Sequence, residues 1–239
     1  MKRSIEEDIM HARENVALFG LETCDNVINI CHALEDTKNI PGVYLECGVF
    51  RGSTFFTAIE FCKLRNIKRN FIGADTFGGF GTAPILKYDM PAYFAVLLKE
   101  KKISEKHYDL AYKRTSAFND ITHLKNEYFC DVSSVFEIAK RYDNVSFLQG
   151  QYEETLKNFS SDIAVLHLDC DLYWSYKTCL EKLCDKVYSR GAIVLDEYYS
   201  LKYPGARVAV DEFVYRKEKD LSMNKRMTGD FERWTIIKS

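Results

Sequence analysis

The chain has 239 residues, 46% of them hydrophobic and 14% aromatic, with only 12 Gly and 4 Pro, which excludes collagen-like, low-complexity and disordered readings and fits an ordinary globular protein. Its 33 Lys and Arg against 35 Asp and Glu leave a formal charge of −2. Neither sign forms a run long enough to follow a phosphate backbone or grip an anionic surface, so neither nucleic acid nor a membrane is expected as a partner.

The chain opens MKRSIEEDIMHARENV, with acids where a secretory signal needs an apolar stretch, and no window approaches the ~18 apolar residues of a membrane span, so a cytoplasmic protein is expected. Two amphipathic stretches follow, Ser4–Phe19 and Thr23–Leu34, the second with Val27, Ile30, Cys31 and Leu34 at helical spacing. Pro41-Gly42 ends these N-terminal helices (1–40), and short apolar runs then alternate with helical patterns. In order these are strand Val43–Cys47, helix Ser53–Leu64, strand Phe71–Ala74, strand Val145–Leu148, helix Glu153–Phe159, strand Ile163–Leu168, helix Trp174–Val187, strand Ala192–Leu195 and helix Arg207–Lys217. Such alternation predicts α/β architecture with a doubly wound, mostly parallel sheet. Leu221–Met227, the turn Gly229-Asp230 and Phe231–Lys238 predict an antiparallel hairpin at the sheet's edge. One domain spanning 1–239 is expected, with 78–140 as a helical insertion that is either a lid over the sheet's carboxyl edge or a packed elaboration or subunit contact. The eight cysteines form no C-x-x-C pair and are expected to be free thiols in the core.

In an open parallel sheet, ligands bind beyond the carboxyl ends of the strands. Here those ends are acidic: Glu46 in the first, Asp75 in the second, Asp169-Cys170-Asp171 after the fourth and Asp196-Glu197 after the fifth. Like charges that close repel unless cations or hydrogen-bond donors offset them. The turn Glu46-Cys-Gly-Val-Phe-Arg-Gly-Ser53 lets backbone approach a ligand, and Asp75 lies 27 residues beyond Gly48, a carboxylate placed for a ribose diol. This pair suggests a nucleoside cofactor. Asp169, Asp196 and Glu197 supply three carboxylates with no imidazole or thiolate, a set suited to a hard ion such as Mg²⁺. The alternative reading makes these acids helix caps and surface groups.

The segments Leu45–Gly52, Gly73–Gly79, Phe147–Thr155, Leu166–Ser175, Gly191–Tyr198 and Gly205–Phe213 together resemble the macrocin O-methyltransferase family, metal-dependent class I methyltransferases acting on sugars. The resemblance implies a Rossmann-like sheet and S-adenosylmethionine, with Glu46, Gly48 and Gly52 at its methionine end, Ser53 also binding it, Asp75 on its ribose, and Gly150 and Gln151 near its adenine. It further implies Mg²⁺ held by Asp169, Asp196 and Glu197, Asp171 as general base, and an acceptor that is a sugar-containing small molecule. A homo-oligomer is left open. Phe50, Phe77, Tyr173 and Trp174 are either walls around the sulfonium or core residues. A catechol-type O-methyltransferase and a non-catalytic nucleotide-binding module are the competing readings; the acid at Glu197, where catechol-type enzymes usually carry an amide, argues against the first.

Overall fold

The computed structural model describes residues 3–115, 130–217 and 220–239. Among them, seven strands form one sheet, taken in chain order as β1 (Val43–Cys47), β2 (Phe71–Asp75), β3 (Val145–Gln149), β4 (Ile163–Leu168), β5 (Val187–Leu195), β6 (Leu221–Thr228) and β7 (Phe231–Lys238). Their spatial order is β3-β2-β1-β4-β5-β7-β6. The first five are parallel, while β7 runs antiparallel to both β5 and β6. The predicted hairpin is therefore present, with its second strand placed against β5. The sequence order reverses between β1 and β4, so a crevice opens there beyond the strands' carboxyl ends.

Central parallel strands are covered on both faces, which is why they read as nearly unbroken apolar runs. All six residues of β4 are buried. Helices α1 (Ile5–Ala17), α2 (Val27–Asp36), α3 (Ser53–Arg65) and α6 (Val132–Ala139) cover one face, contributing Ile9, Ile30, Phe55, Phe56 and Val135 to a shared core with Tyr44, Val165 and Val194. On the other face, α4 (Phe94–Lys99), α5 (Glu105–Thr115), α8 (Tyr173–Leu183) and α9 (Pro204–Arg216) pack Leu97, Ala111, Tyr176 and Phe213 against Leu45, Leu166 and Ile193. Each large apolar side chain so buried stabilises the fold by roughly 1.5–3 kcal/mol. α1 starts at a capping box in which the Glu7 N–H donates to Ser4 Oγ at 3.1 Å and the Ser4 N–H donates to Glu7 at 2.7 Å.

Two expected helices are shorter than the sequence pattern predicts. Instead of Glu153–Phe159 there is a single turn, α7 (Tyr152–Thr155); beyond it only Leu156 is fully buried, so no apolar stripe sustains further turns. α8 stops at Leu183, a tight turn covers Cys184–Lys186, and Val187 already belongs to β5. That strand starts earlier than Ala192 because its exposed stretch Tyr188–Arg190 is polar and carries no core pattern.

The insertion is attached to both cores. Asp89 is fully buried, and its carboxylate accepts the Tyr173 N–H at 2.7 Å and the Leu86 N–H at 2.8 Å, tying this loop to the start of α8. His107 in α5 stacks on Tyr199 with ring centroids 4.0 Å apart. Residues 116–129 of the expected lid lie outside the described residues.

Gly48 is the tightest point of the sheet edge. Its φ is +96°, and a Cβ there would sit 1.8 Å from the Asp169 carbonyl oxygen. Gly48→Ala should cost at least about 3 kcal/mol, lowering the melting temperature by roughly 6–12 °C. Gly229, also at positive φ but with nothing within 4 Å of the added Cβ, should lose only about 1 kcal/mol when changed to Ala. Equal shifts by differential scanning calorimetry would contradict the backbone contact at Gly48.

Candidate functional site

A cleft of about 680 Å³ opens at the switch point, within the usual size of a small-molecule site. Gly48, Phe50, Asp75, Thr76, Gln151 and Tyr152 form one side of its lining, and Asp169, Asp171, Asp196, Glu197 and the 200–203 loop the other. Gly79, Phe80, Ala83 and Arg114 come from the insertion, so that segment supplies part of the wall.

Asp75 ends β2 and acts on backbone. Its Oδ2 accepts the N–H groups of Val49 and Phe50 at 2.7 and 2.8 Å, and its Oδ1 accepts the Phe77 N–H at 2.7 Å. Phe50 and Phe77 both hold positive φ, +50° and +54°, a conformation costly for a bulky side chain. The carboxylate thus fixes two strained turns at once, the glycine turn after β1 and its own loop. Burial pushes the Asp75 carboxyl up, against those three N–H bonds, which lower it.

The remaining acids divide by strand parity. Glu46, His167 and Asp169, and Asp196 next door, fall on the face that carries Tyr44, Val165 and Val194. One ligand atom from each of His167, Asp169 and Asp196 lies within 4.8 Å of the other two. Glu197, one residue further on, takes the opposite side: its carboxylate accepts the Tyr176 hydroxyl of α8 at 2.7 Å. It remains close enough to Asp169 for the two carboxyl groups to influence each other's protonation.

Crowding shows in the protonation of these groups. Burial and then the Asp196 charge push Asp169 up to about 7. Burial and the Asp169 charge raise Asp171 well above the carboxylate range, with Lys202 opposing. Glu197 is raised by burial and by Asp169 and Asp196. Burial works to lower His167, yet Glu46, Asp169 and Asp196 outweigh it and hold the imidazole at about 9.

Asp171 sits in strained backbone. Its φ is +59°, and the Leu172 N–H donates to the Cys170 carbonyl at 2.6 Å across it, a γ-turn of the uncommon positive-φ form. Strain of this kind gathers at functional positions.

Of the residues expected from the sequence, Gly48, Asp75, Gln151, Asp169, Asp171, Asp196 and Glu197 line the cleft. Glu46, Gly52, Ser53 and Gly150 do not. Glu46 is fully buried, bonded to the Tyr44 hydroxyl, to Thr54 Oγ1 at 2.7 Å and to His167. Ser53 donates to the Glu22 carbonyl and so pins the segment between α1 and α2 to the glycine turn. Gly52 caps α3 at φ +84° with the Phe56 ring against it, and Gly150 turns the chain after β3 at φ +139°.

Among the proposed aromatic walls only Phe50 borders the cleft. Phe77 is a core residue against Phe136 and Phe147, the Tyr173 hydroxyl donates to Glu212 at 2.8 Å, and the Trp174 indole donates to Glu153 at 2.6 Å. Phe80, Tyr152 and Tyr203 take their place at the cleft. Sequence reasoning also missed His167 and Arg233. The first was legible as the residue two before Asp169, on the same face of a strand; the second stands alone in a hairpin with no local signal.

The residues present fit a divalent cation. Two carboxylates, Asp169 and Asp196, and a buried imidazole converge at one strand edge, and the imidazole Nε2 has no hydrogen-bond partner among the described residues. A cation there would offset the repulsion that raises Asp169.

This doubly wound sheet with its antiparallel last strands and its cleft at the β1/β4 switch is the Rossmann-like fold of class I methyltransferases. Comparison with solved structures agrees: the O-methyltransferase NovP superposes with a TM-score of 0.61 at 24% identity, covering 89% of this chain and 79% of that one. The calicheamicin methyltransferase CalS11 gives 0.60 at 16% identity, covering 89% and 77%. Residues 134–227 match the macrocin-O-methyltransferase family, so the family resemblance read from the sequence is borne out. Demethyldecarbamoylnovobiocin O-methyltransferase of Streptomyces niveus is 26% identical over 207 residues, 81% of this chain and 66% of that protein. The 8-demethyl-8-(2,3-dimethoxy-α-L-rhamnosyl)-tetracenomycin-C 4'-O-methyltransferase of Streptomyces olivaceus is 28% identical over 188 residues, 76% and 62%. The chain thus spans just under two thirds of the length of these relatives. Among the described residues, no helix is long and apolar enough to cross a membrane.

The acid edge sets a pH dependence. Asp169, raised to about 7 from 3.8, favours the fold while protonated; that contribution is complete below about 4 and is lost as pH rises through 7. His167, raised to about 9 from 6.5, contributes fully below 6.5 and loses its share as pH rises through 9. The melting temperature of chelator-treated protein should therefore fall between pH 5 and 9, with millimolar Mn²⁺ or Mg²⁺ flattening the fall. A flat profile in chelator would show that the acids are not crowded in the folded state.

Proposed function

We propose that the chain is an S-adenosylmethionine-dependent O-methyltransferase acting on a hydroxyl of a sugar-containing small molecule, with a divalent cation at the acid edge. The observation that carries this reading is the meeting, in one cleft, of a glycine turn clasped by Asp75 with the carboxylates of Asp169, Asp171, Asp196 and Glu197. The relatives' names support the class of reaction, and one of them specifies a rhamnosyl group.

The chain's own residues divide the work. Gly48 and Phe50 offer bare backbone and a ring at the β1 edge, where the methionine part of the cofactor would lie. Asp75 accepts two N–H groups on Oδ2 and one on Oδ1, which leaves a lone pair on Oδ1 for a ribose hydroxyl. Gln151 stands after β3 with Gly81 against its amide, on the side assigned to the adenine. Bound there, S-adenosylmethionine supplies an electrophilic methyl on a sulfonium, and Phe50, Tyr152 and Phe80 enclose that region with rings. Asp169 and Asp196 would hold the cation, with Glu197 reaching Asp169 from behind; a bound divalent ion lowers the pKa of a coordinated hydroxyl and fixes neighbouring oxygens. Asp171 takes the proton from the acceptor hydroxyl as the methyl arrives. Lys202 nearby opposes the rise in its proton affinity and so favours the ionised form that can accept that proton. Excluding water from the cleft falls to Phe80, Ala83 and Tyr203, which close it from the insertion and the 200–203 loop.

Asp171→Asn should retain binding of S-adenosylhomocysteine within about twofold while reducing kcat by roughly 10²–10⁴ on any accepted glycoside or nucleotide sugar. The measurement is methyl transfer across such a panel, with calorimetry for the cofactor product. An Asp171→Asn enzyme with the parent's kcat would move the base elsewhere, and parent protein that fails to bind S-adenosylhomocysteine would overturn the reading as a whole. Chelation should silence the parent and added divalent ion restore it; full turnover in chelator would remove the cation from the mechanism.

A further inference from the structure

His167 is a buried polar group of β4 whose two ring nitrogens are unequally served. Its side chain is fully buried between β1 and β5. Its Nδ1 faces Glu46 at 3.3 Å and the Tyr44 hydroxyl at 3.3 Å, while that hydroxyl also donates to Glu46. Nδ1–H is thereby assigned as the donor toward Glu46. Nε2 has no partner. A buried imidazole kept only for packing would ordinarily have both nitrogens satisfied. Here the free one is left on the face that also carries Asp169 and Asp196, and the three side chains already bring one ligand atom each within 4.8 Å of one another. Neighbouring ligands at bond lengths of about 2.1 Å lie about 3.0–3.4 Å apart, so side-chain shifts of at most one to two ångströms would close the set. A carboxylate behind the other ring nitrogen is the arrangement that fixes the tautomer and orientation of metal-binding histidines.

We propose that His167, through Nε2, is a ligand of the divalent site together with Asp169 and Asp196, with Glu46 as its orienting carboxylate, and that the site takes a first-row transition ion such as Mn²⁺, Co²⁺ or Zn²⁺ more tightly than Mg²⁺. The preference follows from the donors: imidazole nitrogen suits the transition ions, whereas Mg²⁺ favours oxygen and keeps its waters. Binding displaces any proton on Nε2, which leaves to solvent. This inference deepens the proposed function and rests on its cation site. It also gives Glu46 and Tyr44 a role, although both are sealed from the cleft.

The test is a titration of the purified full chain with Co²⁺, followed by visible absorption, and with Mg²⁺ by calorimetry. The parent should bind one equivalent of Co²⁺ at least tenfold more tightly than Mg²⁺. His167→Asn keeps an amide N–H for Glu46 but places nothing at the Nε2 position; it should weaken Co²⁺ at least tenfold, change the absorption band and reduce the gap to Mg²⁺. Glu46→Gln should weaken Co²⁺ by about 10–100-fold. Circular dichroism and a single cooperative melt in chelator report that each variant is folded. Should a variant not fold, pulsed electron paramagnetic resonance on Mn²⁺-loaded parent carrying ¹⁵N-histidine needs no substitution and should show the coupling of a directly bonded nitrogen. Absence of that coupling, or a His167→Asn protein with the parent's Co²⁺ affinity and spectrum, overturns the inference. If Asp169→Asn abolishes cation binding while His167→Asn does not, the acid site stands without its histidine; if neither changes it, the cation site of the proposed function fails as well.

Discussion

Like charge crowded into one half-buried edge is the constraint on which the site depends. Four carboxylates, Asp169, Asp171, Asp196 and Glu197, border one cleft, and burial together with mutual repulsion drives three of them toward the protonated form. Such a cluster is costly unless something balances it. The fold supplies partial answers from several directions: His167 beneath Asp169, Lys202 beside Asp171, and the Tyr176 hydroxyl on Glu197. The remaining charge gives a cation a reason to bind and an acceptor hydroxyl a place to lose its proton.

The β-sheet converts this chemistry into geometry. Because side chains alternate, two consecutive acids after β5 go to different faces, Asp196 toward His167 and Glu197 toward α8. The same rule places Glu46 beside His167, its register partner across β1 and β4, and so links the glycine turn's strand to the acid edge. Asp75 performs the complementary task on the cofactor side. It holds Val49, Phe50 and Phe77 by their N–H groups and thereby maintains two residues in a conformation that side chains ordinarily avoid. With Asp171 in its γ-turn, strained backbone is found on both sides of the cleft, and rigid neighbours preserve it.

Much of this was legible in the chain itself. Apolar runs of five or six residues ending in an acid marked β1, β2 and β4 almost to the residue, since buried parallel strands leave little else that could occupy those positions. Gly48 was recognisable as the first glycine of the turn after β1, whereas the Asp169 carbonyl that leaves no room for a Cβ there was not. Other features were hidden by the fact that sequence gives spacing but no partner. Glu197 looked equivalent to Asp196 until parity separated them. His167 carried no cluster of histidines to announce it, and its meaning lies in Glu46, far away in the chain. The early end of α7 and the early start of β5 depend on what the neighbouring core can cover, which local pattern does not encode.

An anomalous difference map from crystals grown with S-adenosylhomocysteine and Mn²⁺ tests the central claim most directly, because manganese and sulfur can be located independently of the protein map. The account predicts one manganese peak within bonding distance of both the Asp169 and Asp196 carboxylates, with the cofactor sulfur in the same cleft on the Gly48 side. Manganese bound only away from these acids, or the cofactor product outside the cleft between Gly48 and Asp75, would contradict it.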